Sequence, residues 1–542
     1  MKRIISFGAI AVCLLLGSCC NKPVFDPDKE QVVIGENIAV ANTIYGKVRG
    51  FICRGIFQFR GIPYAAPAGG ENRFMPPQKL EPWEGVKKAY NYGDMAPQPI
   101  AYDRSPESAA GFVDHWNYFN SSEDCLRLNV WTPALDAKKR PVLVWLHGGG
   151  FALGSGIEQD GYNGESISRY GDIVFVSVNH RLNSIGYSDL AKVGGEKYAH
   201  SGNVGMLDIV AALQWVHDNI ENFGGDPGNV TIMGQSGGGS KVSILASMPA
   251  CKGLIHKGVA LSGNSTAGVN KEYAEALGEY IVAEAGLQPS EIDKLQEMPW
   301  EEYYALAERA CSKFNESNVN RSGRAGFNPV GDGIDIPEGE FYNPDDETLP
   351  DIPMLFCSTF HEWNPNREDG EIEKYNREQV IEQMTPRFGE RAAEIFDAYD
   401  AVFPDDTPVD VWALTVSTRH GIVHSADVKK QQTSPVYMAW FGWCPPLFDG
   451  HQRASHCMDI CFWLHNTDLM ITHCGGGLRP RKLSTKMTDA LLAFMRTGNP
   501  NCKGLPEWPE YTSENGELMV LNDVCYVAND PDREARKVMD NN

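Results

Sequence analysis

Gly234-Gln235-Ser236-Gly237-Gly238 sets a serine among glycines in the pattern G-x-S-x-G. A serine hydroxyl is a weak nucleophile at neutral pH and attacks a carbonyl only when an adjacent base takes its proton. The apolar run Val230-Thr231-Ile232-Met233 precedes the pentapeptide, and a small-residue helical start follows it. Strand, tight turn and helix in that order would lift Ser236 onto a sharp corner, where side chains on the flanking residues would collide. The helix after it would aim its first N–H groups at developing negative charge. A second glycine run, His147-Gly148-Gly149-Gly150, closes another apolar stretch, and its bare backbone N–H groups suit an oxyanion. A phosphate loop would want a lysine inside the turn, and there is none. Either run alone also fits a structural turn. Together they predict acyl transfer.

Six apolar runs have strand length: 142–146, 173–178, 230–233, 257–261, 354–357 and 436–440. They do not alternate apolar with polar, which suits strands buried on both faces of a parallel sheet. Between Asp208 and Ile220 the apolar residues Ile209, Ala212, Leu213, Val216 and Ile220 fall at helical spacing. This is α/β order: a large, mostly parallel sheet covered by helices. Residues 270–350 and 363–425 are more acidic and helical in pattern, and are expected as insertions above the C-terminal edge of the sheet. No repeat, low-complexity block or long linker divides the chain, so residues 36–542 are expected as one catalytic domain.

Of 542 residues, 42 % are hydrophobic and 22 % charged, an ordinary globular balance. Lysine and arginine number 48 against 71 acidic residues, a formal charge of −23. Such a surface repels phosphate backbones, which argues against nucleic-acid partners. Fourteen cysteines are too few for a disulfide scaffold, which takes ~8–10 % of residues. Lys2 and Arg3 precede an apolar run from Ile4 to Leu16, the length of a signal-peptide core and too short to span a bilayer. Leu16-Gly17-Ser18-Cys19 then resembles the bacterial lipoprotein box. The resemblance implies a signal peptide over 1–18, a lipid anchor on Cys19 and an exported protein of the cell envelope. An ordinary cleaved signal is the alternative. Residues 19–35, with Pro23 and Pro27, are expected as a tether.

More motifs follow in a fixed order. Phe59-Arg60-Gly61-Ile62-Pro63-Tyr64-Ala65 and Arg73-Phe74-Met75-Pro76-Pro77-Gln78 stand near the start. Glu123-Asp124-Cys125-Leu126-Arg127-Leu128-Asn129-Val130 comes next, then Val178-Asn179-His180-Arg181-Leu182 and Gly202-Asn203-Val204-Gly205-Met206-Leu207-Asp208. Asn219-Ile220-Glu221-Asn222-Phe223-Gly224-Gly225-Asp226-Pro227 leads into the serine motif. By these marks the chain resembles the type-B carboxylesterases of the α/β-hydrolase superfamily, from about Tyr45 to Asn501. The resemblance implies the α/β-hydrolase fold and a Ser–Glu–His triad. Ser236 matches the nucleophile. Glu362 falls on the acid, although Cys357 and Trp363 stand where the family pattern has glycines, and Asp332 and Asp335 are alternatives. His456, in His456-Cys457-Met458-Asp459-Ile460, matches the base, with His451 as the alternative. Gly149, Gly150 and Gly237 map onto the oxyanion hole.

Three features depart from the pattern or compete with it. Ala96-Pro97-Gln98 stands where the family carries a cysteine that pairs with the one in the Glu-Asp-Cys-Leu motif. Cys125 is therefore expected as a free buried thiol, with Cys53 as a substitute partner the alternative. His456, Cys457, Cys461, His465, His473 and Cys474 crowd together, but they form neither a C-x-x-C pair nor H-E-x-x-H. The plainer account is core packing around a triad histidine, with no metal. Trp116 stands near the position of a ligand-stacking tryptophan in cholinesterases; an aromatic wall and ordinary packing both remain open.

The expected function is hydrolysis of small to medium carboxylic esters through an acyl-enzyme on Ser236, needing no cofactor. The expected partners are a small-molecule ester and, through the lipid, a membrane; oligomeric state is not specified. A non-catalytic binding protein on the same scaffold would typically lack the serine. An amidase, a thioesterase or a glycan deacetylase would use the same triad.

Overall fold

The computed structural model describes residues 31–99, 117, 120–317, 325–364 and 370–540. The expected signal peptide, Cys19, most of the expected tether and Trp116 lie outside the described residues.

A twelve-stranded sheet forms the centre. In chain order its strands are β1 (Val32–Val33), β2 (Phe51–Cys53), β3 (Ile56–Pro63), β4 (Arg127–Thr132), β5 (Arg140–Leu146) and β6 (Val174–Val178). Then come β7 (Gly225–Gln235), β8 (Lys257–Leu261), β9 (Met354–Thr359), β10 (Val436–Phe441), β11 (Glu517–Leu521) and β12 (Tyr526–Asn529). The spatial order is β1-β2-β3-β4-β6-β5-β7-β8-β9-β10-β11-β12. Pairings from β6 through β11 are parallel, and those at the two edges are antiparallel. Each of the six apolar runs is a strand of this sheet. A smaller sheet joins residues 40–43, 46–49 and 86–88.

The runs are apolar throughout because each strand feeds two cores. Val142, Val144 and Leu146 of β5 pack on one face with Ile209, Leu213 and Val216 of α1 (Val204–Asn219). Leu143 and Trp145 pack on the other face with Met487, Leu491 and Phe494 of a long C-terminal helix, Leu478–Thr497. Alternate side chains point to opposite faces, so neither register can be polar. Each such side chain contributes about 1.5–3 kcal/mol on burial.

Helices Lys271–Glu284 and Trp300–Ser317 follow β8, and Arg377–Phe388, Ala392–Val402, Pro408–Thr415 and Arg419–Lys429 follow β9. The first begins on Asn270, whose side chain accepts the Tyr273 N–H, and another begins on a capping box between Asn376 and Gln379. The helical expectation for 270–350 fails over its second half: residues 325–350 form no helix. Pro329, Pro337 and Pro344 interrupt that stretch. Asp332 Oδ1 accepts the backbone N–H groups of Ile334, Asp335 and Ile336, which a helix would have paired with carbonyls. Among the described residues no helix is long and apolar enough to cross a membrane.

β5 has β6 on one side and β7 on the other, so the chain order reverses there. In open α/β sheets, ligands bind beyond the carboxyl ends of strands at such a reversal. The loops after β5, β7, β8, β9 and β10 all leave from that end.

Candidate active site

β7 ends at Gln235, and α2 (Gly237–Leu245) starts one residue after Ser236. Ser236 bridges them at φ 57° and ψ −124°. Such a backbone costs a non-glycine residue of order 1–3 kcal/mol and persists only where its surroundings hold it. The Ser236 N–H donates to Leu261 O at 2.8 Å, and Ser236 O accepts the Ser240 N–H at 3.0 Å. The strand–corner–helix order read from the sequence is therefore present.

The second glycine run lies directly against this corner. A Cβ on Gly237 would come within 2.1 Å of Gly150 O, and one on Gly238 within 2.1 Å of Leu146 O. Gly149 and Gly150 turn the loop at φ 76° and 63°. Gly148, Gly149, Gly150 and Ser236 line one cavity of about 400 Å³, with Gly237 packed behind Gly150.

Glu362 lies three residues beyond β9 and is 1 % exposed. Its Oε1 accepts from Ser262 Oγ at 2.6 Å, from the Thr359 N–H at 2.8 Å and from Thr418 Oγ1 at 3.0 Å. Its Oε2 accepts from His456 Nδ1. Burial alone would raise this carboxyl, but His456 and the donors around it outweigh burial and hold it below the usual range. For His456, burial disfavours the imidazolium, while the Cys457 sulfur and the Glu362 carboxylate favour it and win, so its pKa lies above the ordinary value. The His456 ring stacks on Trp363 with centroids 4.3 Å apart. Both ring nitrogens lie 3.3 Å from Gln235 Nε2, and no hydrogen bond joins the ring to Ser236 Oγ. Catalytic hydrogen bonds commonly tighten only once substrate is bound. Glu362, His456 and Ser236 all line the same cavity.

The alternative residues are engaged elsewhere. Asp332 holds its own turn, and Asp335 Oδ2 pairs with His200 Nδ1 at 2.8 Å. His451 does not line the cavity that holds Ser236, Glu362 and His456. Cys125 is fully buried and Cys53 half-buried, both as free thiols. Among the described residues no group of three or more His, Cys, Asp or Glu side chains is arranged to hold a metal ion. Of the crowded set, Cys457 Sγ donates to Gln235 Oε1 at 3.0 Å, His465 Nδ1 meets Ser166 Oγ at 2.9 Å, and Cys461 and Cys474 are core residues.

Sequence reasoning missed a buried charged group beneath the glycine loop. Lys241, on α2, has no exposed surface, and its Nζ donates to His147 O at 3.0 Å. Burial pushes its pKa down to about 7, with Glu158 opposing. His147 stacks on His180 with centroids 5.0 Å apart, and burial, with Lys241 nearby, drives both far below the usual imidazole range. Glu158, in the cavity wall, is raised to about 7 by burial, although it accepts from the Ser155 N–H at 2.8 Å and Tyr162 OH at 3.1 Å. The available signal was a lysine inside a helix otherwise built of small and apolar residues.

Residues 37–537 match the carboxylesterase family model. The chain belongs to the carboxylesterase family. It is 30 % identical over 514 residues to para-nitrobenzyl esterase of Bacillus subtilis, covering 92 % of this chain and 98 % of that one. It is 33 % identical over 499 residues to phenmedipham hydrolase of Pseudarthrobacter oxydans, covering 89 % and 95 %. Among solved structures it resembles an esterase of Clostridium hathewayi that hydrolyses aliphatic aromatic polyesters, with TM-score 0.79 and 36 % identity over 94 % of this chain and 99 % of that one. The Geobacillus stearothermophilus carboxylesterase gives TM-score 0.73 at 33 % identity, over 92 % and 99 %. The sheet is that of the α/β-hydrolase fold, and the protein is a type-B carboxylesterase, a carboxylic ester hydrolase.

Proposed function

We propose that this carboxylesterase cleaves small to medium esters through an acyl-enzyme on Ser236, with His456 as base and Glu362 as its orienting carboxylate. The supporting observation is convergence: four loops from the carboxyl end of the sheet bring the glycine loop, Ser236, Glu362 and His456 to one cavity of about 400 Å³. That volume lies within the usual range for small-ligand sites, about 300–1,000 Å³.

Glu362 holds Nδ1, so Nε2 of the neutral ring takes the Ser236 proton as Oγ attacks the ester carbonyl. The negative charge that forms on the carbonyl oxygen is met by the N–H groups of Gly149, Gly150 and Gly237. The C–O bond to the alcohol breaks, and the proton on Nε2 passes to the leaving alkoxide. Water then enters, gives a proton to Nε2 and attacks the acyl carbon. Ser236 leaves as the carboxylic acid departs, and it regains the proton.

The leader pattern supports a lipid anchor on Cys19 and a place in the cell envelope. Incorporation of labelled palmitate, lost in Cys19→Ser, is the expected result; equal incorporation in both proteins would contradict it.

Catalysis is tested by hydrolysis of p-nitrophenyl acetate and butyrate by the full chain and by Ser236→Ala. Activity in the parent that is lost in the variant supports the reading. Activity unchanged in the variant would overturn it.

A further inference from the structure

Trp363 directly follows Glu362, at a position where the family pattern has a glycine. It is 56 % exposed, and it lines the catalytic cavity. Among the described residues it is the one large apolar side chain of that wall with most of its surface open. A tryptophan has about 150–250 Å² to bury. Here more than half of the residue's surface stays in water, beside the reacting groups.

One part of the indole is already covered. It stacks on the His456 imidazole, with ring centroids 4.3 Å and planes 29° apart. Two fused rings are larger than one imidazole, so the stack leaves a flat apolar surface open at the side of the base. The reaction decides which part of an ester arrives there. The carbonyl oxygen turns toward the glycine loop, and the leaving oxygen takes its proton from His456 Nε2. The group bonded to that leaving oxygen therefore emerges beside the imidazole, where the indole stands.

We propose that Trp363 is a specificity-determining residue of the alcohol subsite, and that the alcohol it favours carries a flat aromatic ring. The proposal rests on the esterase reading above. An aromatic ring meets the open indole in the offset stack or edge contact that aromatic pairs adopt. A puckered ring of the same size touches it through a few hydrogens. A quaternary ammonium is a poorer occupant, although tryptophan faces attract cations. His456 becomes an imidazolium on the same indole as it takes the Ser236 proton, and the two positive charges would repel.

The test measures kcat/KM of the full chain on benzyl, cyclohexylmethyl and ethyl acetate. The acyl group is constant and all three leaving groups are primary alkoxides, so the ratios read the alcohol side. The parent is expected to favour benzyl over ethyl acetate by about tenfold or more, because the ring adds apolar contact. It is expected to favour benzyl over cyclohexylmethyl acetate by about two- to tenfold, the scale of an aromatic pair beyond its buried area. Trp363→Ala is expected to cut the benzyl-to-ethyl ratio by about fivefold or more and to bring the benzyl-to-cyclohexylmethyl ratio close to one. Trp363→Phe keeps a smaller ring and is expected to retain most of the preference. A disturbed His456 or a loss of fold lowers all three rates together and leaves the ratios unmoved. Benzyl and cyclohexylmethyl acetate cleaved alike by the parent, or ratios that Trp363→Ala leaves unchanged, overturn the subsite. If that happens while ethyl acetate is cleaved in a Ser236-dependent way, the subsite falls and the esterase reading stands. If none of the three acetates nor p-nitrophenyl acetate is cleaved, both fall.

Discussion

Glu362 and His456 are joined twice: the carboxylate accepts from Nδ1, and the His456 backbone N–H donates to Glu362 O at 2.9 Å. The side-chain bond fixes the tautomer. The backbone bond fixes the position of a histidine on the long loop after β10. The proposed base, carried on a loop, gains a rigid mount from the loop that carries its carboxylate partner.

Glu362→Gln removes the charge and keeps the shape. We expect kcat on p-nitrophenyl acetate to fall by about 10⁴, the scale seen when a triad carboxylate becomes an amide. The pH profile gives a second reading. The carboxylate favours the imidazolium, so in the parent the rising limb of kcat/KM lies above the ordinary imidazole pKa of about 6.5. Without that charge the Cys457 sulfur alone opposes burial, and the limb moves to lower pH. An unmoved limb would separate the titrating group from His456.

Ser262→Ala tests the support of the acid. Ser262 stands at φ 49° just past β8, 2.6 Å from Glu362 Oε1, and Thr359 N–H and Thr418 Oγ1 remain when it is removed. One of several charge-assisted bonds is lost, worth about 1.5–3 kcal/mol where nothing replaces it. A fall in kcat of about tenfold with KM unchanged is the expected outcome. A change confined to KM would place Ser262 in substrate binding instead.

The serine corner, the glycine loop and the six strands were legible in the sequence because each is local: a few adjacent residues specify the turn or the run. Glu362 and His456 needed the family pattern, since nothing beside either residue marks it as half of a pair. Ser262 and Thr418 were not legible. Their roles exist only where a strand end and a helix start meet the Glu362 loop, and Ser262 reaches Glu362 across 100 positions of chain. The helical pattern expected through 350 fails over 325–350, because a backbone-bonding aspartate and prolines outweigh acidic composition.

Lys241→Met makes a stability prediction with a definite sign. A folded-state pKa of about 7 lies below the ordinary lysine value of about 10.4, so between these values the unfolded chain binds the proton and the folded one does not. The lysine therefore makes folding more favourable as pH rises from 7 to 10, and contributes no slope below 7. Methionine, close in volume, removes this dependence. The Tm of the variant minus that of the parent is expected to be most positive near pH 7 and to shrink toward pH 10, by thermal denaturation across that range. A constant difference would contradict the buried, proton-releasing lysine. Because Lys241 Nζ also holds His147 O, kcat is expected to fall as the glycine loop loses that tie.

The central claim, a covalent acyl-enzyme on Ser236, is tested most directly by a fluorophosphonate probe and intact-mass measurement. The account predicts one adduct per parent chain, on the peptide containing Ser236, and none in Ser236→Ala. An unlabelled parent, or equal labelling of the variant, would contradict it.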